Sequence, residues 1–214
     1  MSIIRFTAET LKVAFPPADK YYLGIDSGDG RLYVMDDAGA VTKFLSAGSL
    51  SIGNYAQTVQ GATVTNTTTE TGIVGTGVGS LSIPANTFVV GDSFHGKIGG
   101  VISAQNGDDI TINIKAGSTV LASTGSISLS PVTALGWELE LDFTIASLTA
   151  TGSMCTNGNF AYNRDTGSLE GFVFQDVQTI DTTIDNTLDI TVTWGQAKTQ
   201  DQIYSANFVL FKTY

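Results

Sequence analysis

The sequence predicts an all-β protein, an antiparallel β-sandwich of jelly-roll type preceded by a small N-terminal β-meander. Three observations carry that prediction. Runs of period-two alternation recur from about residue 72 onward, no stretch there has a helical period, and turn signals rich in Gly, Asn and Asp separate the runs. The paired cysteines of an immunoglobulin domain are missing, since Cys155 is the single thiol, which favours the jelly roll over the immunoglobulin arrangement.

The first zone, residues 1–45, supplies the meander. Tyr21-Tyr22-Leu23-Gly24-Ile25-Asp26, Arg31-Leu32-Tyr33-Val34-Met35-Asp36 and Val41-Thr42-Lys43-Phe44 read as three short strands. They are joined by Ser27-Gly28-Asp29-Gly30 and Asp37-Ala38-Gly39-Ala40, whose glycines supply the positive φ of tight hairpins. Pro16-Pro17 breaks any helix begun over residues 7–13. A meander this small needs something to cover its apolar face, so the zone reads as a docking element.

The second zone, residues 46–71, is rich in Ser, Gly, Thr and Asn, with Thr63-Val64-Thr65-Asn66-Thr67-Thr68-Thr69-Glu70-Thr71 as its extreme. Such a composition buries little, which predicts a spacer or fibrous stalk. Irregular strands belonging to the main domain are the alternative, because threonine prefers extended backbone.

The third zone, residues 72–214, is the sandwich. Trp137-Glu138-Leu139-Glu140-Leu141-Asp142-Phe143-Thr144-Ile145 presents five apolar side chains to one side and three acids to the other. Ile110-Thr111-Ile112-Asn113-Ile114-Lys115 and Leu188-Asp189-Ile190-Thr191-Val192-Thr193-Trp194 repeat the pattern, and Phe208-Val209-Leu210-Phe211 is continuously apolar. Further strands are expected at residues 88–93, 96–103, 119–123, 126–129, 153–162 and 169–176. Asn106-Gly107-Asp108, Ala116-Gly117-Ser118, Asn157-Gly158-Asn159 and Asp165-Thr166-Gly167 are the expected turns. Half-polar strands imply antiparallel sheets with one wet face.

Composition excludes several roles. Among 214 residues, Lys and Arg number 10 against 20 Asp and Glu, a formal charge of −10. No basic run exists to displace counterions from phosphates, so nucleic acid is not an expected partner. Apolar stretches are interrupted well before the roughly 20 residues of a spanning helix, so membrane insertion is not expected. Met1-Ser2-Ile3-Ile4-Arg5-Phe6 lacks the features of a signal peptide. One Cys and one His rule out a disulfide framework and a Cys/His zinc site.

Candidate chemistry is sparse, and no catalytic residue, cofactor or metal is assigned. Asp26, Asp29, Asp36 and Asp37 could offer oxygens to calcium, but turn chemistry explains them and the spacing of a calcium loop is missing. Gly75-Thr76-Gly77-Val78-Gly79 lacks the lysine and following helix of a phosphate loop. His95 has no readable nucleophile partner, and Cys155 reads as an inert thiol. Glu138, Glu140 and Asp142 share a strand face, as a pair of glycosidase carboxylates would, and equally as any wet strand does. Trp137 and Trp194 are expected inward, which leaves Tyr162 and Tyr204 as candidate glycan contacts.

The third zone resembles the jelly-roll domain of structural appendages of tailed bacteriophages and related viruses. The residues carrying the resemblance are Ser82-Ile83-Pro84-Ala85-Asn86-Thr87-Phe88-Val89-Val90-Gly91-Asp92-Ser93, the run from Thr111 to Ala122, Trp137 to Leu141, and Asp181 to Gly195. Residues 21–44 resemble the meander that opens many phage fibre and head-decoration proteins. The resemblance implies a noncatalytic virion protein, made in the host cytoplasm: a head fibre, capsid spike, decoration or tail-fibre component. It implies docking on capsid or tail proteins through Tyr21, Tyr22, Leu23, Leu32, Tyr33, Val34 and Phe44, with a homotrimeric knob projecting outward to a host-surface glycan. A carbohydrate-binding module or adhesin, free or at a tail-fibre tip, is the alternative, and a glycan hydrolase using Glu138 and Glu140 a third reading.

Overall fold

The computed structural model describes residues 22–25, 32–43 and 53–214, and the chain divides into two units at residues 51 and 52. In the first unit β1 (Tyr22–Ile25), β2 (Leu32–Met35) and β3 (Val41–Lys43) form an antiparallel sheet in chain order, the expected meander. The second turn is built as predicted: Gly39 takes φ 82°, and the Asp36 carboxylate accepts the N–H groups of Ala38 and Ala40 at 3.0 and 2.8 Å. Tyr33 and Met35 are buried and Val34 is half-buried.

The second unit begins with strands in the zone whose composition suggests a spacer. β4 (Gly53–Gln57) and β5 (Val64–Thr65) both pair with the last strand of the chain. β6 (Thr71–Gly72) and β8 (Ser82–Ile83) pair with a second strand, and β7 (Gly77–Gly79) returns to β4. Residues 53–71 are therefore part of the sandwich; residues 46–52 lie outside the described residues. Backbone pairing holds this segment where side chains offer little to bury.

The long strands follow: β9 (Ser93–Ala104), β10 (Asp108–Ala116), β11 (Thr119–Ser123), β12 (Ile127–Leu129) and β13 (Val132–Ser147). After them come β14 (Gly152–Asn163), β15 (Leu169–Ile180), β16 (Asn186–Trp194) and β17 (Gln202–Lys212). One sheet runs β15-β14-β13-β9-β17-β4-β7 and the other β11-β10-β16-β6. With β4/β5 and β6/β8 each counted as one strand and the β14–β15 hairpin set aside, the two sheets read 1-8-3-6 and 2-7-4-5 in chain order. That is the jelly roll. The added hairpin widens the larger sheet and brings β15 beside β11, closing the sandwich along that side.

The alternating runs fill the space between the sheets. Trp137, Leu139, Leu141, Phe143 and Ile145 from β13 meet Ile110, Ile112 and Ile114 from β10 and Ile190, Val192 and Trp194 from β16, all buried in one cluster. The Trp194 indole N–H donates to the Val64 carbonyl at 3.1 Å, tying the smaller sheet to the larger at one end. The apolar run near the chain end alternates after all: Phe208 and Leu210 are buried while Val209 is exposed.

Two local expectations are corrected. Gly158 is not in a turn but in the middle of β14, where a Cβ would fall 2.1 Å from the Phe174 ring. Glycine is there so that an aromatic side chain on β15 can lie across the strand. Residues 88–92 are a loop, not a strand: Asp92 Oδ2 accepts the Val89 N–H at 3.0 Å, the Asp92 N–H returns to the Val89 carbonyl at 3.0 Å, and Gly91 takes φ 94°.

On the outer face of the smaller sheet, Glu70 clamps the entry of β6. Its Oε1 accepts from Thr191 Oγ1 at 2.6 Å and Asn113 Nδ2 at 3.0 Å, and its Oε2 from Lys115 Nζ at 3.1 Å. Those hydrogen bonds, Thr191 first, pull the carboxyl from 4.5 down to about 2. A depressed carboxylate stabilises the fold above its unfolded pKa and loses that contribution as pH falls toward the folded one. Glu70→Gln should thus lower the denaturation midpoint at neutral pH, and the gap to the parent should close between about pH 4.5 and 2. A gap that stays constant with pH would remove the clamp. In the core, Leu139→Ala should cost about 2–5 kcal/mol by urea denaturation, because Leu139 is fully enclosed and leaves a cavity.

Candidate functional site

The outward face of the larger sheet carries the chemistry that the sequence placed on β13. Register sets Glu138, Glu140, Asp142 and Thr144 opposite Gly99, Lys97, His95 and Ser93 of β9. Lys97 Nζ sits between two carboxylates, 2.9 Å from Glu138 Oε2 and 2.9 Å from Glu140 Oε1. Those hydrogen bonds, Glu138 first, raise the ammonium above its ordinary pKa. His95 Nδ1 lies 2.9 Å from Asp142 Oδ1, with the Phe211 ring 5.1 Å away, and the Ser93 and Thr144 hydroxyls are 3.0 Å apart. These outward side chains are thus partnered across the strands, which pins the register.

The two glutamates are part of one ion-pair ladder. A glycosidase needs one carboxyl kept protonated by an apolar enclosure while its partner stays ionised. Glu138 and Glu140 are 48% and 42% exposed and share one lysine as counter-ion, so their environments are nearly alike.

Beside this ladder the sheet face sinks into a trough. One half is lined by Gly99, Gly100, Glu138, Ala206 and Asn207, the other by Gly136, Ala161, Asn163 and Leu169. The depression exists because the strands here present glycine and alanine outward, and because β17 bulges between Ser205 and Asn207. Gly100 could not be another residue, since its Cβ would fall 2.0 Å from the Tyr204 carbonyl oxygen. The Gly99-Gly100 doublet inside a predicted strand was the sequence signal for it, as glycine within a strand marks a bulge or a close approach.

The two tyrosines expected to contact glycan part company. Tyr162 is fully buried, which corrects the expectation. Its hydroxyl accepts the Ser130 N–H at 2.7 Å and donates to Glu170 Oε2 at 2.9 Å, while its ring stacks 5.9 Å from that of Phe160. Burial raises its pKa, with Glu170 adding to the shift. Alternation along β14 puts Tyr162 on the core face with Phe160, in register with the inward Trp137. Tyr204 lies between the buried Ile203 and Ser205 and takes the outward face beside the trough, half-buried and in register with Val101.

The remaining candidates have structural explanations. Trp137 and Trp194 point inward as expected. Gly77–Gly79 is strand β7, and Cys155 is half-buried on β14 with Gln175 Nε2 at 3.8 Å. Of the docking candidates, Tyr22, Leu23, Leu32, Tyr33 and Val34 lie on the paired strands β1 and β2, whereas Tyr21 and Phe44 lie outside the described residues, as do Asp26 and Asp29. An apolar cavity between the sheets, bordered by Phe88, Phe94, Met154 and Leu188, holds about 40 Å³. A small-molecule site needs several hundred Å³.

No protein-family model matches the chain, and no curated protein sequence matches it.

The trough yields a paired test. Gly100→Ala should sharply lower the melting temperature, because backbone on both sides must move. Gly136→Ala, where the nearest atom to a new Cβ is Asn163 Nδ2 at 3.9 Å, should leave it within a few degrees. Equal melting of the two variants would contradict the backbone approach at Gly100.

Proposed function

We propose that this chain is a noncatalytic structural protein of a virus particle, of the phage head-fibre, capsid-spike or decoration type. Residues 1–45 dock on capsid or tail proteins, and the jelly roll projects as a homotrimeric knob. The observation that supports this reading is the polarity of the sandwich. β4 enters at the end where Gly53 pairs with Phe211. The loops at that end carry the exposed Val89, Val90, Ile184 and Tyr214. Hydrogen bonds from Asn86 N–H to the Thr182 carbonyl, and between Thr149 and Thr182, lock three of those loops together. The opposite end displays mainly hydroxyls and amides, with Asn66, Thr68, Asn106, Ser126, Thr166 and Gln200 exposed beside one exposed leucine, Leu169. A knob held at one end and presented to solvent at the other has this distribution.

Three anchors acting together hold such an appendage by avidity even where each contact is modest. The net charge of −10 keeps crowded copies soluble and keeps the chain off anionic phosphates and membranes. A second reading, glycan recognition at a fibre tip, is favoured by the trough, whose Glu138, Asn163 and Asn207 offer sugar-hydroxyl partners with Tyr204 at its edge.

Deleting residues 1–45 should abolish incorporation into particles while the remaining chain keeps its β-sheet circular dichroism. The full-length protein should sediment at three times its 22.4 kDa. Normal incorporation of the truncation would overturn the docking role, and a monomer on the particle itself would overturn the trimer. Binding to a glycan array that is lost in Tyr204→Ala would move the weight to the second reading.

A further inference from the structure

At the end of the sandwich opposite Gly53, a lysine and two aspartates meet in a largely enclosed site. Lys198, in the segment between β16 and β17, places Nζ in direct contact with Oδ1 of Asp108 at the start of β10. Asp201, three residues further along the same segment, is hydrogen-bonded through its carboxyl to Asp108. The two aspartates are 5% and 1% exposed, and the backbone N–H of Gln105 donates to Asp108 Oδ2 at 3.1 Å. Asp201 Oδ1 is buried and accepts no hydrogen bond. The site is anchored on both sides: Asn66 N–H donates to the Lys198 carbonyl at 3.1 Å, and Gln202 pairs with Ser103 and Thr65.

A buried carboxyl pair opposite a single ammonium is costly as a purely structural device, since one carboxyl is surplus to the ion pair. It has the parts of a condensation centre. An amine touches the oxygen of an enclosed carboxyl while its own side chain keeps 27% exposure, and a second enclosed carboxyl stands within proton-transfer reach of the first. Enforced proximity of this kind replaces the entropy that an intermolecular amide formation would lose.

We infer that Lys198 and Asp108 form an intramolecular amide cross-link, with Asp201 as the proton-transfer group. The step balances within the three side chains. Transfer of a proton inside the ion pair gives the neutral amine and carboxylic acid. The Nζ lone pair attacks Asp108 Cγ, the C–N bond forms, and the carbonyl π pair moves to oxygen, which takes the proton of the Asp201 carboxyl. The Asp201 carboxylate then removes a proton from nitrogen. It returns that proton to one hydroxyl of the tetrahedral carbon, the C–O bond breaks, and water leaves. The remaining hydroxyl proton passes to Asp201, which ends protonated as it began. The products are one amide and one water, with no oxidant, metal or co-reactant.

The electrostatics support the roles. Burial, then the hydrogen bond to Asp108, push the Asp201 carboxyl up to about 6, which makes it the proton carrier of the pair. Burial opposes ionisation of Asp108 as well, but the hydrogen bonds from Lys198, Asp201 and Gln105 outweigh it and lower its pKa. Lys198 is raised in turn by Asp108. The resting contact is therefore an ion pair beside a protonatable acid.

The consequence is mechanical. The bond would join β10 of the smaller sheet to the segment that leads into β17 of the larger, closing a loop across 90 positions of sequence. Such closure restricts the unfolded chain as a disulfide does, without depending on a redox compartment.

Intact-mass spectrometry of the full-length protein tests this directly. The folded protein should weigh one water less than its sequence mass, and proteolysis should release a branched peptide joining Asp108 and Lys198. Lys198→Arg and Asp108→Ala should restore the full mass, and Asp201→Ala should suppress or greatly slow the loss. Asp108→Asn should still cross-link, now losing ammonia in place of water, which separates bond formation from mere folding of the variants. A parent protein at full sequence mass, with no branched peptide, overturns the inference and leaves the virion reading untouched. A normal cross-link rate in Asp201→Ala overturns the role given to Asp201.

Discussion

The register of β13 is the constraint on which the rest of the structure depends. It lies between β9 and β14, and a slip of one residue would turn Trp137, Leu139, Leu141, Phe143 and Ile145 from the core into solvent. Two independent sets of contacts prevent that slip. Inside, these five side chains fill the gap to β10 and β16. Outside, the Lys97–Glu140, His95–Asp142 and Ser93–Thr144 pairs fit in one register only. The acids that could have been read as catalytic thus have a structural use. They are the polar half of an alternation whose apolar half builds the core.

What was legible in the sequence follows from that alternation. Strands with five or more residues in strict period two, such as those around Ile112, Leu139 and Ile190, were readable because burial on one face imposes the pattern. β4 to β8 were not readable, because they are short strands of Gly, Ser, Thr and Asn held by backbone hydrogen bonds, which leave no trace in side-chain pattern. Gly158 misled for a related reason. Its partner is the Phe174 ring on the next strand, and a glycine vacated for an aromatic looks, in sequence, like a glycine vacated for a turn.

The functional surface was legible in part. Glu138 was named from its strand and lines the trough, and Tyr204, named only as a candidate glycan contact, lies on β17 next to the residue paired with Gly100. Gly99, Gly100, Asn163 and Asn207 complete it, and only the glycine doublet had a sequence signal. Tyr162 shows the limit of inferring exposure from polarity: an amphipathic side chain with a hydrogen-bond partner at its tip, here Ser130 and Glu170, is as well placed in a core as on a surface.

The meeting of Asp108, Lys198 and Asp201 could not be read from sequence, because Asp108 lies 90 positions from Lys198 and no periodicity relates a strand start to a loop. It is the topology that brings them together. In the jelly-roll order, β16 lies beside β10 in the smaller sheet, and the chain then crosses to the larger sheet to begin β17. That crossing is the place where a side chain on one sheet's first residue can reach the connection to the other. At this end the backbone itself crosses between the sheets at the β9–β10 turn, between β12 and β13 and ahead of β17, and the Trp194 indole adds a neutral hydrogen bond to the Val64 carbonyl worth about 1 kcal/mol net. A covalent tie would brace the crossing into β17 directly against the first residue of β10, so the same three residues that look wasteful as an ion pair are economical as a brace.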